Sequence, residues 1–433
     1  MGSETTLDAG AVAAEGRPNA FLIVALAAVA LGFGLEGMAA QAFGLALPAL
    51  SKAWHASHDA FANVTALGLV GFALGAAIAG WCGDRFGRRT VLLLSVALFG
   101  TATLGTAAAH DLNQLGLIRF ATGLGLGGAI PAAAALMSEL APRRWRNLAI
   151  ALGFMFLPLG GFVSGLLAAR LLPTAGWTGL FVACGAIALA ADVVLAAVLP
   201  ESPRYLATRP ERADQLARLL QRLGQSETPE PQPAGRPGWS GLFAPEVRRS
   251  TFALLAAYFC LLLGMYLIFS WGPSVLSRKG LSLAQAAETL SAFALGGVFA
   301  GPVSGWLIQG LGSRRALPIL ALGAAAAAAW LAWTTAGPTA GFLAVAVGVF
   351  LLGHLMSGVQ TALYALAAEV YPAAIRSTGL GAAVAAGRVG AVLSSYLGVF
   401  AVRIGGSPAY FGVVGAAVLA TIIAAACARP RLT

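Results

Sequence analysis

Four charged residues lie inside long apolar runs, where each needs a chemical reason: Glu36, Arg119, Asp192 and Arg388. A charge in the hydrocarbon of a bilayer costs at least ~2.5–3.5 kcal/mol, so it marks a cavity, a partner or a proton path. A carboxyl group so placed can carry a proton. An arginine so placed can hold a carboxylate through two parallel hydrogen bonds, which the point charge of lysine cannot do. Glu36 and Arg119 fall at similar outer depths of the first and fourth runs and are expected to meet. Two readings stand for them: Glu36 carries a proton that Arg119 tunes and releases, or the two form a permanent ion pair that fixes helix packing. Arg388, near the middle of the eleventh run, reads either as the anchor of a substrate carboxylate or as a partner of backbone carbonyls or another acid. Asp192 lies close to the inner end of its run and reads as gating or interfacial. Phe43, Tyr266, Trp271, Gln360 and Tyr364, with Gln41, have the aromatic and amide chemistry to surround a flat hydroxylated ring. His354 reads as a proton relay or as a satisfied core histidine.

The elements that must position these groups are apolar helices. The chain has 433 residues, 58% hydrophobic and 10% charged, with mean hydropathy +0.81. A soluble domain carries roughly 25% charged residues. Runs of about 20 residues, enough for a ~30 Å hydrocarbon core, recur along nearly the whole length. The spans are expected near 20–48, 61–82, 90–109, 111–137, 147–171 and 176–199, then near 251–276, 284–311, 315–335, 338–364, 375–402 and 408–427. The expected fold is an all-α membrane protein of twelve transmembrane helices in two pseudo-symmetric six-helix bundles. The expected bounds are a tail over 1–19, bundles over 20–199 and 251–427, a linker over 200–250 and a final tail over 428–433.

Two motifs recur and show the duplication directly. Gly80-Trp81-Cys82-Gly83-Asp84-Arg85-Phe86-Gly87-Arg88-Arg89 returns about 225 residues later as Gly305 to Arg315, with Gln309 in place of the acid. Ala135-Leu136-Met137-Ser138-Glu139-Leu140-Ala141-Pro142 returns as Ala365 to Pro372 around Glu369, with Arg146 and Arg376 at matching distances behind. Asp84, Arg85, Arg88, Arg89, Glu139, Arg146, Glu369 and Arg376 are therefore expected on one face, as a latch at the helix ends that opening would break. The second copy, lacking the acid, should latch more weakly.

The net charge of +10 suggests nucleic acid only if the chain is soluble. Arginines instead crowd alternate connections, which the positive-inside rule explains, placing both termini in the cytoplasm. Lys52 and Lys279 follow Ser51 and Arg278, so no Walker A loop exists. Gly123-Leu124-Gly125-Leu126-Gly127-Gly128 lies within an apolar run with no preceding strand, which suits close helix packing better than a dinucleotide. Cys82, Cys184, Cys260 and Cys427 lack paired spacing, and no clustered ligands or activated serine appear at membrane depth, so neither a metal, a cofactor nor an enzyme is expected. In the linker, Leu216, Leu219, Leu220 and Leu223 predict an amphipathic helix on the cytoplasmic face, followed by a proline-rich stretch from Thr228.

The basic Gly-x-x-x-Asp-Arg-x-Gly-Arg-Arg turn after the second of twelve spans resembles the major facilitator superfamily. Glu36-Gly37-Met38-Ala39 with Gln41, Arg119-Phe120-Ala121-Thr122-Gly123, Pro200-Glu201-Ser202-Pro203-Arg204, Tyr371 to Gly379 and Gly387-Arg388-Val389-Gly390 resemble its aromatic acid:proton symporters. The resemblance implies import of a hydroxybenzoate-type carboxylate with protons across a bacterial inner membrane, by a monomer in a lipid bilayer. The alternatives are uncoupled facilitation of the same acids, or proton-coupled uptake of another organic acid or a sugar-like solute. One departure matters: the family pattern in the first span is Asp-Gly-x-Asp, and here the second acid is Ala39.

Overall fold

The computed structural model describes residues 19–142, 146–223, 239–337, 339, 341–371 and 375–428. The expected tails over 1–19 and 428–433, apart from Asn19 and Ala428, and the proline-rich stretch lie outside them. The described residues form helices and no strand. The first bundle comprises α1 (Ala20–Ala53), α2 (Ala62–Phe86), α3 (Arg88–Thr106), α4 (Leu112–Leu140), α5 (Arg146–Thr174) and α6 (Gly176–Val198). The linker contributes α7 (Pro203–Ala207), α8 (Ala213–Leu223) and α9 (Trp239–Leu242). The second bundle comprises α10 (Pro245–Ser277), α11 (Leu283–Leu311), α12 (Ser313–Thr334), α13 (Phe342–Val370) and α14 (Arg376–Ala426).

Among the described residues, eleven helices are long and apolar enough to cross a membrane. The last of them has 51 residues, far more than a ~30 Å core needs at 1.5 Å per residue. It breaks at Gly405 and Gly406, the latter at φ 64°, so it supplies two spans and the total is twelve. Two turns are set the same way in the two halves. Gly87 (φ 100°) separates α2 from α3 and Gly312 (φ 79°) separates α11 from α12, a backbone region that glycine enters without strain. The helices overrun several expected ends. α1 continues to Ala53, α13 to Val370, and α10 starts at Pro245, where proline suits a first helical position.

The leucine stripe of α8 is real, but its neighbour is protein. Leu216, Leu219, Leu220 and Leu223 are buried, and α8 is tied to the start of α1 by the Asn19 side-chain amide donating to the Arg222 carbonyl.

The start of α1, the end of α14 and both basic turns lie at one end of the bundles, here the terminal end; the other is the distal end. The halves touch toward the distal end. A Cβ at Gly44 of α1 would stand 1.9 Å from the Phe269 carbonyl oxygen of α10, and one at Gly165 of α5 1.8 Å from the Ser291 hydroxyl of α11. Backbones approach this closely only through glycine. Further out, Arg403 donates to Asp59, and the Tyr396 hydroxyl lies 3.1 Å from Asn63 Oδ1. These ties between the halves lie toward the distal end.

Candidate functional site

Arg388 projects from α14 near mid-span and is half-buried. Its Nη1 donates to the Tyr266 hydroxyl of α10 in the same half. Its guanidinium carbon stands 3.9 Å from the ring centroid of Phe72, which comes from α2 in the opposite half. A planar cation over an aromatic face is attracted by the ring quadrupole, so Phe72 and Tyr266 orient the fork without using up its charge. Glu36, at the middle of α1, is 4% exposed and makes no ion pair or hydrogen bond among the described residues. Arg388, from the opposite half, is the charged side chain that acts on it. Tyr364 of α13 completes the group: it senses the Arg388 charge, sits beside Gln360, and packs edge-on against Tyr258 at 5.6 Å. The structure thus joins Glu36, Tyr266, Gln360, Tyr364 and Arg388, with groups from both halves.

Arg119 does not join Glu36, and this corrects the expected pair. Because α1 runs on to Ala53, Glu36 sits deeper than the sequence suggests, while Arg119 stays near the distal start of α4. Arg119 instead lies over the Phe43 ring at 4.5 Å, two turns outward of Glu36 on α1. Arg119 is 8% exposed, and its Nε has no hydrogen-bond partner.

Other candidates are placed apart from the arginine group. The Gln41 amide fills the space left at Gly161 of α5, where a Cβ would lie 2.0 Å from Nε2. Trp271, 3% exposed, presses on Gly398 of α14 within the second half. His354 Nδ1 lies 3.2 Å from the Gly296 carbonyl oxygen of α11, the contact of a packed core histidine. Asp192 is half-buried on α6 with Oδ1 unpartnered, outside the latch network.

At the terminal end, Arg88 bonds Asp84 at 2.5 Å and the Gly83 carbonyl at 2.9 Å, and stands 3.4 Å from Glu139. Glu139 also accepts from the Ser202 hydroxyl. Arg89 donates to the Ala196 carbonyl at the end of α6, and its backbone N–H to Glu201 at 3.0 Å. Arg85 lies over Trp81, and its carbonyl accepts from Arg209. The second half repeats the plan with weaker chemistry. Ser313 stands in the place of Arg88 and donates to Glu369 at 2.8 Å, while Arg314 donates to the Ala428 carbonyl as Arg89 does to Ala196. Arg146 is exposed at the start of α5, and the Arg376 side chain lies outside the described residues. Asp84 is 75% exposed and, among the described residues, bonded within its own half.

Several working residues escape sequence reasoning. An aromatic such as Phe72 inside an apolar run bears no mark that separates a lipid contact from a guanidinium platform. Glu201 and Ser202 belong to the Pro200-to-Arg204 motif, where a carboxylate able to reach a helix start is the available signal.

Two six-helix halves, a charged centre shared between them and closure at one end define a secondary transporter of the alternating-access kind. The profile of the Major Facilitator Superfamily matches residues 29–353 and 285–432, and the chain belongs to that family. It is 35% identical over 411 residues to the gallate transporter of Pseudomonas putida, covering 92% of this chain and 90% of that protein. It is 32% identical to the 4-hydroxybenzoate transporter PcaK of Pseudomonas aeruginosa, covering 84% and 82%. Among solved structures it is similar to the inward open conformation of the xylose transporter XylE from E. coli, with TM-score 0.72 and 20% identity over 95% of this chain and 97% of that one.

Proposed function

We propose that this chain imports an aromatic carboxylate of the hydroxybenzoate type together with protons. The observation that carries the reading is Arg388: an oriented guanidinium, held by Tyr266 and Phe72, in no ion pair among the described residues, facing Glu36 from the opposite half. The substrate carboxylate takes the fork of Arg388, and its ring lies among Tyr266, Tyr364 and Gln360. Arriving negative charge next to Glu36 favours a proton on that carboxyl, which ties uptake of acid to uptake of protons. The gallate and 4-hydroxybenzoate transporters among its relatives support the aromatic class. The terminal end, rich in arginine, faces the cytoplasm of a bacterium and the protein works as a monomer in the inner membrane. In this state the site opens inward, and Asp84, Glu139 and Glu369 serve the latch that forms when it opens outward. Ala39, in place of a second acid, supports a second reading, uncoupled facilitation of the same acids.

Uptake of labelled 4-hydroxybenzoate into proteoliposomes, with and without an inward proton gradient, tests this. Accumulation above equilibrium only with the gradient is the expected result. Equilibration that ignores the gradient establishes the facilitator, and uptake blocked by sugars but not by benzoates overturns the carboxylate.

A further inference from the structure

The buried charges near the centre do not balance. Arg119 from α4, buried, and Arg388 from α14, half-buried, are two cations, neither in an ion pair among the described residues, and Glu36 is the carboxyl that faces Arg388. Leaving a guanidinium buried without an anion costs several kcal/mol, so the fold keeps a charge whose partner must come from outside the chain.

The two cations lie against one helix, α2. A Cβ at Gly68 of α2 would lie 3.6 Å from Nε and Nη2 of Arg119. Phe72, one turn further along α2, carries Arg388 at 3.9 Å. Four residues of helix set these contacts about 6 Å apart along the axis, with Arg119 on the distal side. The face of α1 agrees, since Arg119 lies over Phe43 and Glu36 is two turns inward. Between Glu36 and Phe43 on α1 sits Ala39, 1% exposed, which carries no polar group.

Charge counting then bears on the substrate. When Glu36 takes a proton, as the proposed symport requires, both arginines are left without a carboxylate. A monocarboxylate on Arg388 matches one of them. A second anionic group on the same ring, displaced toward the distal side, matches the other. We infer that Arg119, with Phe43 as its platform, is a second anion position, and that the chain prefers aromatic acids bearing two carboxylates over monocarboxylates. The inference rests on the reading of Arg388 as carboxylate anchor.

Calorimetric titration of the purified full-length protein with benzoate, isophthalate and terephthalate tests it, on the native chain and on Arg119→Gln and Ala39→Asp. One added charge-assisted pair should make at least one dicarboxylate bind about tenfold tighter than benzoate. In Arg119→Gln that preference should fall to about twofold or less, and Ala39→Asp, by giving Arg119 an internal partner, should erase it likewise. Ala39→Asp also decides the matter if Arg119→Gln does not fold. Equal binding of mono- and dicarboxylates to the native chain overturns the inference, as does a preference that survives in either variant. An equal loss for all three acids in Arg119→Gln also overturns it, assigning Arg119 to Glu36 alone. If none of the three acids binds while sugars do, the carboxylate reading itself has failed.

Discussion

Arg403 on α14 donates to Asp59, in the connection between α1 and α2, and so ties the two halves together at the distal rim. Tyr396, two turns inward on α14, makes a second tie to Asn63. Arg403 is 68% exposed, and exposed pairs contribute only about 0.2–1 kcal/mol. A contact of that size cannot hold the halves shut, but it can weight an equilibrium that is already near balance. Arg403→Glu should therefore shift the ratio of distally open to distally closed molecules by roughly twofold to fivefold. Pairing it with Asp59→Arg should restore the native ratio. Spin-label distances across the distal rim read this directly, and an unchanged distribution in the single variant removes the pair from the gating account.

Arg388 should resist its conservative replacement. Lysine keeps the charge but loses the planar fork that Tyr266 and Phe72 orient. A hydrogen bond to a charged group contributes roughly 1.5–3 kcal/mol, so Arg388→Lys should weaken carboxylate binding by about tenfold to a hundredfold. The melting temperature should move little, because Arg388 is only half-buried. Equal affinity in the two proteins would refute the anchor.

Glu36→Gln separates transport from coupling. The amide keeps the shape of the side chain and cannot exchange a proton, so uphill uptake should vanish while exchange of internal for external acid continues. Counterflow and gradient-driven uptake, measured on the same proteoliposomes, distinguish the two. Accumulation that survives would move the proton to another group.

Much of the fold and part of the site are legible in the amino-acid sequence, and the gaps have physical causes. Charged residues in apolar runs declare themselves one at a time, which is why Glu36, Arg119 and Arg388 stand out by residue type alone. Which of them meet depends on helix ends, and α1 runs five residues past its expected end at 48, to Ala53, enough to carry Glu36 away from Arg119 toward Arg388. The duplication is readable because glycine and arginine recur at fixed places in both basic turns. That Ser313 does with a hydroxyl what Arg88 does with a charge is not readable, since serine is common at helix starts for reasons of capping alone. Lipid-facing and site-facing aromatics are the hardest case, because both satisfy the same apolar pattern.

Glu201 is one of the residues through which the linker holds the first bundle. One of its oxygens accepts from the backbone N–H of Arg89 at 3.0 Å and from that of Ser202 at 2.8 Å. The first of these is a free donor in the opening turn of α3, where a carboxylate also meets the positive end of the helix dipole. The carboxylate stands so close to Gly87 that a Cβ there would lie 2.3 Å from Oε2, which leaves no room to substitute the turn and keep the contact. Glu201→Gln retains the acceptor and loses the charge, whereas Glu201→Ala loses both and leaves the Arg89 N–H unpaired. The alanine variant should lose about 2–3 kcal/mol and the glutamine variant about 1 kcal/mol, by the difference between charged and neutral hydrogen bonds. Thermal unfolding of the purified protein should rank them in that order. Gly87→Ala should lose at least as much as the alanine variant, because it displaces the same carboxylate and also puts a side chain at φ 100°. A Glu201→Ala protein as stable as the native one would show that the linker merely lies against the bundle.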